Sequence, residues 1–270
     1  MSDQLAGFEG RVPRFYDEGL GPVLFTDFAD QIAGRVAAYT PMHVLETAAG
    51  TGIVTRRLRD LLPAAAHLTA SDLNSPMLDV ARTKFRPGEL VEFKPADAIA
   101  LPFPAGAFDA VVCQFGFMFF PDKVKSYREV HRVLADGGRY VFSVWDAEQH
   151  NPHVRVTHEI AQGFLPVGTP KIYEAAFGQY QIDPIKEALI TAAFADIRIS
   201  VVNIEKAIPD TAAFARALIY ANVVINQVQA HSSVALDRVV DALTEALSRE
   251  FGASPTRIPL QAIVFEARRR

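Results

Sequence analysis

The sequence has almost no cysteine, and Cys113 is its single example. One thiol can form no internal disulfide and no cysteine-cluster zinc site. Cys113 lies in an apolar stretch, which indicates an inert buried thiol and not a nucleophile. A chain of 270 residues is long enough to bury a sizeable core without disulfides or a structural metal.

A long hydrophobic run is also missing, although 50% of the residues are hydrophobic. The longest apolar stretch, 110–120, is interrupted by Gln114 and Gly116. A membrane-spanning helix needs about 20 apolar residues, so we expect no transmembrane segment. Residues 1–10 carry Asp3 and Glu9 and have no basic start followed by an apolar run. We therefore expect no secretory signal and a cytoplasmic location.

An excess of basic residues is absent as well. The chain has 27 basic and 31 acidic side chains, which gives a net charge of −4. Nucleic-acid-binding proteins usually carry a basic excess or stripe, so we expect no nucleic-acid partner. The basic ending 268–270 is short and indicates a solvated tail.

What the sequence does have is alternation of short β-rich runs with helical patterns. Strands are predicted at 43–47, 67–71, 90–94, 108–114, 139–145, 197–204 and 259–267. Helices are predicted at 22–39, 53–62, 75–85, from Asp122 to a stop at 136–138, and as a pair within 210–251. This order predicts an α/β fold with a doubly wound, seven-stranded, mostly parallel sheet.

A glycine turn follows the first predicted strand, in residues 44–52. Gly50 and Gly52 let a ligand approach the backbone closely, and the helix start behind them offers free N–H groups. Asp72 follows Gly52 by 20 residues and ends the second predicted strand. An acidic residue at this distance accepts ribose hydroxyls in dinucleotide-binding folds. The pair therefore predicts an adenosine-containing ligand.

Two residues favour S-adenosylmethionine over NAD as that ligand. Thr55 stands where a dinucleotide fingerprint has its third glycine, and Glu46 precedes the turn. A carboxylate there opposes a pyrophosphate but suits an ammonium group. A sulfonium is stabilised by carbonyl oxygens and aromatic faces. An NAD-linked oxidoreductase stays as the disfavoured alternative.

Five motifs in order over residues 42–146 resemble the class I S-adenosylmethionine-dependent methyltransferases. The nearest group is type 11, which includes the ubiquinone and menaquinone biosynthesis methyltransferases. The motifs are 44–52 (VLETAAGTG), 70–74 (ASDLN), 96–103 with Ala96-Asp97-Ala98 and Leu101-Pro102-Phe103, 108–112 (FDAVV), and 132–138 with Arg132-Val133-Leu134 and Gly137-Gly138.

The resemblance implies a Rossmann-like methyltransferase fold with a helical lead, with S-adenosylmethionine as cofactor and S-adenosylhomocysteine as product. Glu46, Ala48 and Gly50 would line the methionine end, Asp72 would hold the ribose, and Asp97 would accept from the adenine amino group. The cofactor-binding candidates are Glu46, Thr47, Ala48, Gly50, Thr51, Gly52, Asp72, Leu73, Met77, Asp97, Ala98, Gln114 and Phe115.

The acceptor side is less specific. We expect one domain, 1–270, with a cofactor-binding core at 42–146 and cap insertions at 147–184 and 210–252. Apolar residues in these insertions predict a small apolar or aromatic acceptor. His150, His153 and Tyr16 are the catalytic candidates, and ordinary surface or packing roles stay open for each. A non-catalytic S-adenosylmethionine-binding module and a cyclase built on this fold also stay open. No metal site is predicted.

Overall fold

A seven-stranded sheet forms the centre of the computed structural model, which describes residues 12–166, 173–223, 225 and 235–270. The strands lie in the order β3-β2-β1-β4-β5-β7-β6. They are β1 His43–Thr47, β2 His67–Asp72, β3 Val91–Pro95, β4 Phe108–Gln114, β5 Leu134–Trp145, β6 Phe194–Ile208 and β7 Thr256–Arg269. Neighbours from β3 to β5 pair in parallel, and β7 runs antiparallel to both β5 and β6. The predicted mostly parallel sheet is confirmed.

The central strand β4 is buried on both faces. Val111, Val112 and Cys113 are fully buried. Val112 packs with one apolar cluster and Val111 with another, because successive side chains of a strand point to opposite faces. The continuous apolar run in the sequence therefore reflects burial from both sides, and the predicted bounds of β1 and β4 match the structure.

Helices cover both faces of the sheet. They are α1 Thr26–Ala37, α2 Ile53–Leu61, α3 Ser75–Arg82, α4 Lys123–Val133, α5 Pro152–Gln162, α6 Glu174–Phe177, α7 Ile182–Thr191, α8 Thr211–Tyr220 and α9 Leu236–Phe251. The Asp122 carboxylate accepts a hydrogen bond from the N–H of Lys125 and caps α4, as predicted.

Several predicted boundaries are wrong, and β5, β6 and β7 are each longer than predicted. Within the described residues the lead is already helical at Val12–Arg14 and continues as a π-helix, Phe15–Phe25, so Pro22 lies inside it and does not start it. Helix α4 ends at Val133, ahead of the predicted stop at 136–138. Those residues belong to an irregular stretch of β5, where the pairing with β4 shifts register.

The predicted cap insertions contain several helices where they are described. The segment 147–184 contains α5, α6 and the start of α7, and 210–252 contains α8 and α9. Residues 167–172, 224 and 226–234 of these insertions, and the N-terminal residues 1–11, lie outside the described residues. Within the described ranges, no helix has the length and apolar character that crossing a membrane requires.

Candidate functional site

A cavity of about 480 Å³ opens at the carboxyl ends of the parallel strands. Its walls come from the residues that follow β1, β2, β3 and β4, from the end of β5, from the π-helix and from α5, α6 and α8. Ligands of open α/β sheets bind at this edge. The predicted site residues that line the cavity are Tyr16, Ala48, Gly50, Asp72, Leu73, Met77, Asp97, Ala98, Gln114, Phe115 and His153.

Five candidates do not line the cavity: Glu46, Thr47, Thr51, Gly52 and His150. Glu46 is buried, and its carboxylate accepts a hydrogen bond of 2.6 Å from the hydroxyl of Thr55. Burial raises the pKa of Glu46 to about 8. Glu46 and Thr55, the two residues that depart from a dinucleotide fingerprint, therefore form a hydrogen-bonded pair beneath the glycine turn. His150 lies in an exposed turn, Glu148–His150.

The two glycines of the turn have different structural roles. Gly50 has a φ of 54° and lines the cavity. Gly52 has a φ of 78°, and a Cβ there would lie 2.8 Å from the Cβ of Ala81 in α3. Gly52 therefore serves the close packing of the turn against α3, whereas Gly50 leaves room on the cavity side.

Asp72 is held by the backbone on both sides. Its Oδ2 accepts from the N–H of Gly50 and its Oδ1 from the N–H of Asn74, each at 2.8 Å. Burial raises the pKa of Asp72, and these N–H donors partly offset that effect. The Oδ1 of Asp72 also accepts from the side-chain amide of Asn74 at 3.4 Å. A carboxylate has about four acceptor positions, so these three hydrogen bonds leave Asp72 capacity for one more.

The end of β4 meets the turn after β1. Ala48 and Phe115 both have a positive φ, of 53° and 52°. A Cβ on Gly116 would lie 2.3 Å from the Cβ of Ala48, so only glycine lets these two turns touch. Strained backbone of this kind concentrates at functional sites. The amide of Gln114 donates to the carbonyl of Phe25 at 3.2 Å, while its Oε1 is buried without a partner among the described residues.

Aromatic rings form the wall farther from the strands β1 and β2. Trp145 stacks on Phe115, with ring centroids 4.0 Å apart, and on Phe177 at 5.4 Å. We call Phe115, Trp145 and Phe177 the aromatic row. Trp145 and Phe177 are site residues that were not predicted from the sequence. Trp145 ends a predicted strand, and that position was the signal available for it.

Tyr16 lies in the π-helix, and its ring stacks on Phe25 with centroids 4.7 Å apart. Burial, together with the negative charges of Asp72 and Asp17, raises the pKa of Tyr16. The phenol therefore stays protonated at neutral pH. Tyr16 lines the cavity as a neutral aromatic side chain.

The charges around the cavity have one sign. Asp72, Asp97 and Glu174 line it, and no Lys or Arg does so among the described residues. A cavity of this kind favours a ligand with positive charge and disfavours a pyrophosphate.

Comparisons with known proteins agree with this geometry. Residues 45–142 match a family described as methyltransferase domain. The demethylmenaquinone methyltransferase of Thermus thermophilus is 47% identical over 102 residues, which are 37% of this chain and 46% of that protein. The matched region thus spans about half the length of this relative.

Two solved structures share the fold. Phosphoethanolamine N-methyltransferase 2 of Haemonchus contortus, in complex with S-adenosyl-L-methionine, has a TM-score of 0.60 and 18% identity, over 95% of this chain and 56% of that one. The YcgJ protein of Bacillus subtilis has a TM-score of 0.57 and 19% identity, over 89% and 98%. The core of this chain, residues 45–142, is therefore similar to the methyltransferase domain family, and the sheet order agrees with the fold of these two structures.

Proposed function

We propose that this chain binds S-adenosylmethionine at the ends of β1, β2, β3 and β4 and transfers its methyl group to a small apolar or aromatic acceptor. The observation that carries this proposal is one continuous cavity with Asp72 and Asp97 at the ends of β2 and β3 and the aromatic row beyond the ends of β4 and β5. The part of the cavity with the carboxylates suits S-adenosylmethionine, and the part with the aromatic row suits the methyl acceptor.

The adenosine half fits the residues that follow β2 and β3. The acceptor capacity left on Asp72 suits the ribose hydroxyls. Met77 is buried and Leu73 is half exposed, and these two apolar side chains would cover the adenine. Asp97 and the N–H of Ala98 lie on the same cavity and would bind the edge of the adenine ring.

The methionine half fits the end of β4. The unpartnered Oε1 of Gln114 is an amide oxygen, which accepts hydrogen bonds from an ammonium group. The absence of Lys and Arg from the described lining agrees with a sulfonium ligand and disagrees with the phosphates of NAD. Ala48 and Gly50 would contribute backbone groups.

The acceptor half involves both insertions. Phe177 of α6 and Leu218 of α8 line the cavity together with Trp145. We infer that residues 42–146 are the cofactor-binding core and that 147–184 and 210–252 form a cap within one domain. Relatives named for demethylmenaquinone and for ubiquinone and menaquinone biosynthesis act on ring compounds. A quinol-type ring is the acceptor that an aromatic wall best accommodates.

The residues would act mainly by position. When bound, S-adenosylmethionine would supply a methyl group on a positively charged sulfur for in-line displacement by the acceptor nucleophile, and S-adenosylhomocysteine would leave. The aromatic row and the cap would hold the acceptor near the end of β4 and exclude water from it. A carbon, oxygen or nitrogen nucleophile is compatible with this arrangement.

The test has a binding step and a turnover step. Calorimetry with S-adenosylhomocysteine and with NADH should give binding of the first only. Incubation with S-adenosylmethionine and a panel of acceptors should release S-adenosylhomocysteine with 1,4-naphthoquinols but not with ethanolamine. Turnover of small charged acceptors alone would contradict the acceptor assignment. Binding without release across the panel would favour the binding module or the cyclase. The cytoplasmic location and the lack of a nucleic-acid partner stay predictions.

A further inference from the structure

His153 is fixed in the wall of the cavity by the start of α5. Helix α5 begins at Pro152, directly after Asn151. The side chain of Asn151 is buried, accepts from the N–H of Gln261 and donates to its carbonyl, both at 3.0 Å. It also donates to the carbonyl of Asp146 at 3.1 Å. These bonds connect the first turn of α5 to strand β7 and to the residue that follows β5. His153 therefore has a defined position.

The His153 ring belongs to the first cap insertion and contacts both insertions. It is 1% exposed and packs against Phe177 of α6 and Phe214 of α8, with ring centroids 6.4 and 6.1 Å away. Its Nδ1 is buried without a partner among the described residues. A buried polar group without a partner is unfavourable. A bound ligand would remove that penalty.

Other polar side chains on the same wall do have partners. The hydroxyl of Tyr173 donates to the carbonyl of Leu218 at 3.4 Å, and the Oδ1 of Asn222 accepts from the N–H of Ile225 at 3.1 Å. Their hydrogen bonds support the cap itself. His153 differs from them because its ring supports no neighbouring backbone.

We infer that His153 is the positioning residue that binds a hydroxyl oxygen of an aromatic acceptor. This inference rests on the proposed function. The ring stands at the far end of the aromatic row, next to Phe177, so a flat acceptor along that row would bring its hydroxyl group to the imidazole. A neutral imidazole has one donor and one acceptor nitrogen, and the hydroxyl group of the acceptor molecule would donate a hydrogen bond to the acceptor nitrogen.

The charge state of His153 agrees with positioning and not with proton abstraction. Burial lowers the pKa of His153 to about 3, so the imidazole is neutral at pH 7. A base this weak would not take a proton from a phenol, whose pKa is near 10. The ring therefore orients the acceptor through a hydrogen bond while the proton stays on oxygen.

The experiment uses two probes of nearly the same shape, 2-naphthol and 2-methylnaphthalene. Dissociation constants are measured by equilibrium dialysis with saturating S-adenosylhomocysteine, for the wild type and for His153→Leu, His153→Gln and His153→Asn. We expect the wild type to bind 2-naphthol about threefold to tenfold more tightly, the effect of one hydrogen bond. His153→Leu should lose this preference and keep its affinity for 2-methylnaphthalene.

The amide variants distinguish recognition from packing. Recovery of the preference in His153→Gln or His153→Asn supports the inference, because these amides reach the positions of Nε2 and Nδ1 respectively. A preference that persists in His153→Leu overturns it. So does a loss that neither amide restores, and so does a wild type that binds neither probe. If the protein does not bind S-adenosylhomocysteine, the proposed function fails, and the same ratio measured without that ligand still tests His153.

Discussion

At the scale of the residue, Asp72 joins the glycine turn to the ligand side of the cavity. Its two oxygens already accept from Gly50 and Asn74, and the same carboxylate faces the cavity. The side chain therefore both shapes the turn and presents a negative charge to a ligand. Removing it would affect both roles.

We predict that Asp72→Ala weakens binding of S-adenosylhomocysteine by about tenfold to a hundredfold, because hydrogen bonds to a charged acceptor contribute about 1.5–3 kcal/mol. Isothermal titration calorimetry measures the change. Asp79→Ala is the matched control, since Asp79 is an exposed carboxylate of α3 paired with Arg82. Equal affinities for the two variants would refute the ribose assignment.

A second prediction for a single residue concerns the stability of the protein at acidic pH. Burial lowers the pKa of folded His153 to about 3, whereas an unfolded histidine titrates near about 6.5. Between these values the unfolded chain binds one proton more, so this residue destabilises the fold as pH falls below about 6.5. In His153→Leu this proton uptake is gone. We expect its advantage in free energy of unfolding over the wild type to grow by about 2 kcal/mol from pH 7 to pH 5.

Urea unfolding at the two pH values tests this expectation. At pH 7, His153→Leu should already be more stable by about 1 kcal/mol, because leucine leaves no polar atom unpartnered. His150→Leu serves as the control, since that ring is exposed in the folded protein. An advantage of His153→Leu that is the same at both pH values would contradict the predicted proton linkage.

At the scale of the element, the turn after β1 and the end of β4 form one unit. Ala48 and Phe115 have left-handed backbone and face the same cavity, and Gly116 lets their turns meet. The unit depends on the close approach of two backbones that are distant in sequence. A single methyl group at the contact would separate them.

Gly116→Ala should therefore lower the free energy of unfolding by about 1–3 kcal/mol, the usual effect of overpacking, and weaken binding of S-adenosylhomocysteine. Gly34→Ala is the control: Gly34 lies in α1 with nothing within 4 Å of a Cβ, so alanine should stabilise the helix by about 0.5–1 kcal/mol. Chemical denaturation and calorimetry give both quantities. If Gly116→Ala changed neither the free energy of unfolding nor the affinity for S-adenosylhomocysteine, close contact of the two turns would not be required.

The elements also show what the sequence could predict. Strand β4 followed from its continuous apolar run, and Asp72 followed from its spacing to the glycine turn. The π-helix that lines the cavity was not predicted from the sequence, because Pro22 indicated the start of a helix and not a position inside one. His150 and His153 are near neighbours in sequence. Only the packing of α5 against α6 and α8 buries the ring of His153, while His150, in the preceding turn, is exposed.

At the scale of the whole molecule, the cavity connects the sheet to both cap insertions. A ligand there contacts groups far apart in the chain and would stabilise the folded state as a unit. At a concentration of 100 times its dissociation constant, S-adenosylhomocysteine should add about 2.7 kcal/mol. For a chain of this size we expect a rise in Tm of about 5–10 °C.

Differential scanning calorimetry measures this shift. Asp72→Ala should show a smaller rise at the same ligand concentration. An equal rise with NADH, or a rise with NADH alone, would be incompatible with the assigned cofactor.

Trp145 is the single tryptophan of the chain. Its indole is 4% exposed and stacked between Phe115 and Phe177 on the cavity wall. Light emitted by this protein after excitation at the indole band therefore originates at the boundary between the two proposed ligands. The protein has a built-in optical reporter of site occupancy, and arrival of cofactor or acceptor can be followed in real time without a label.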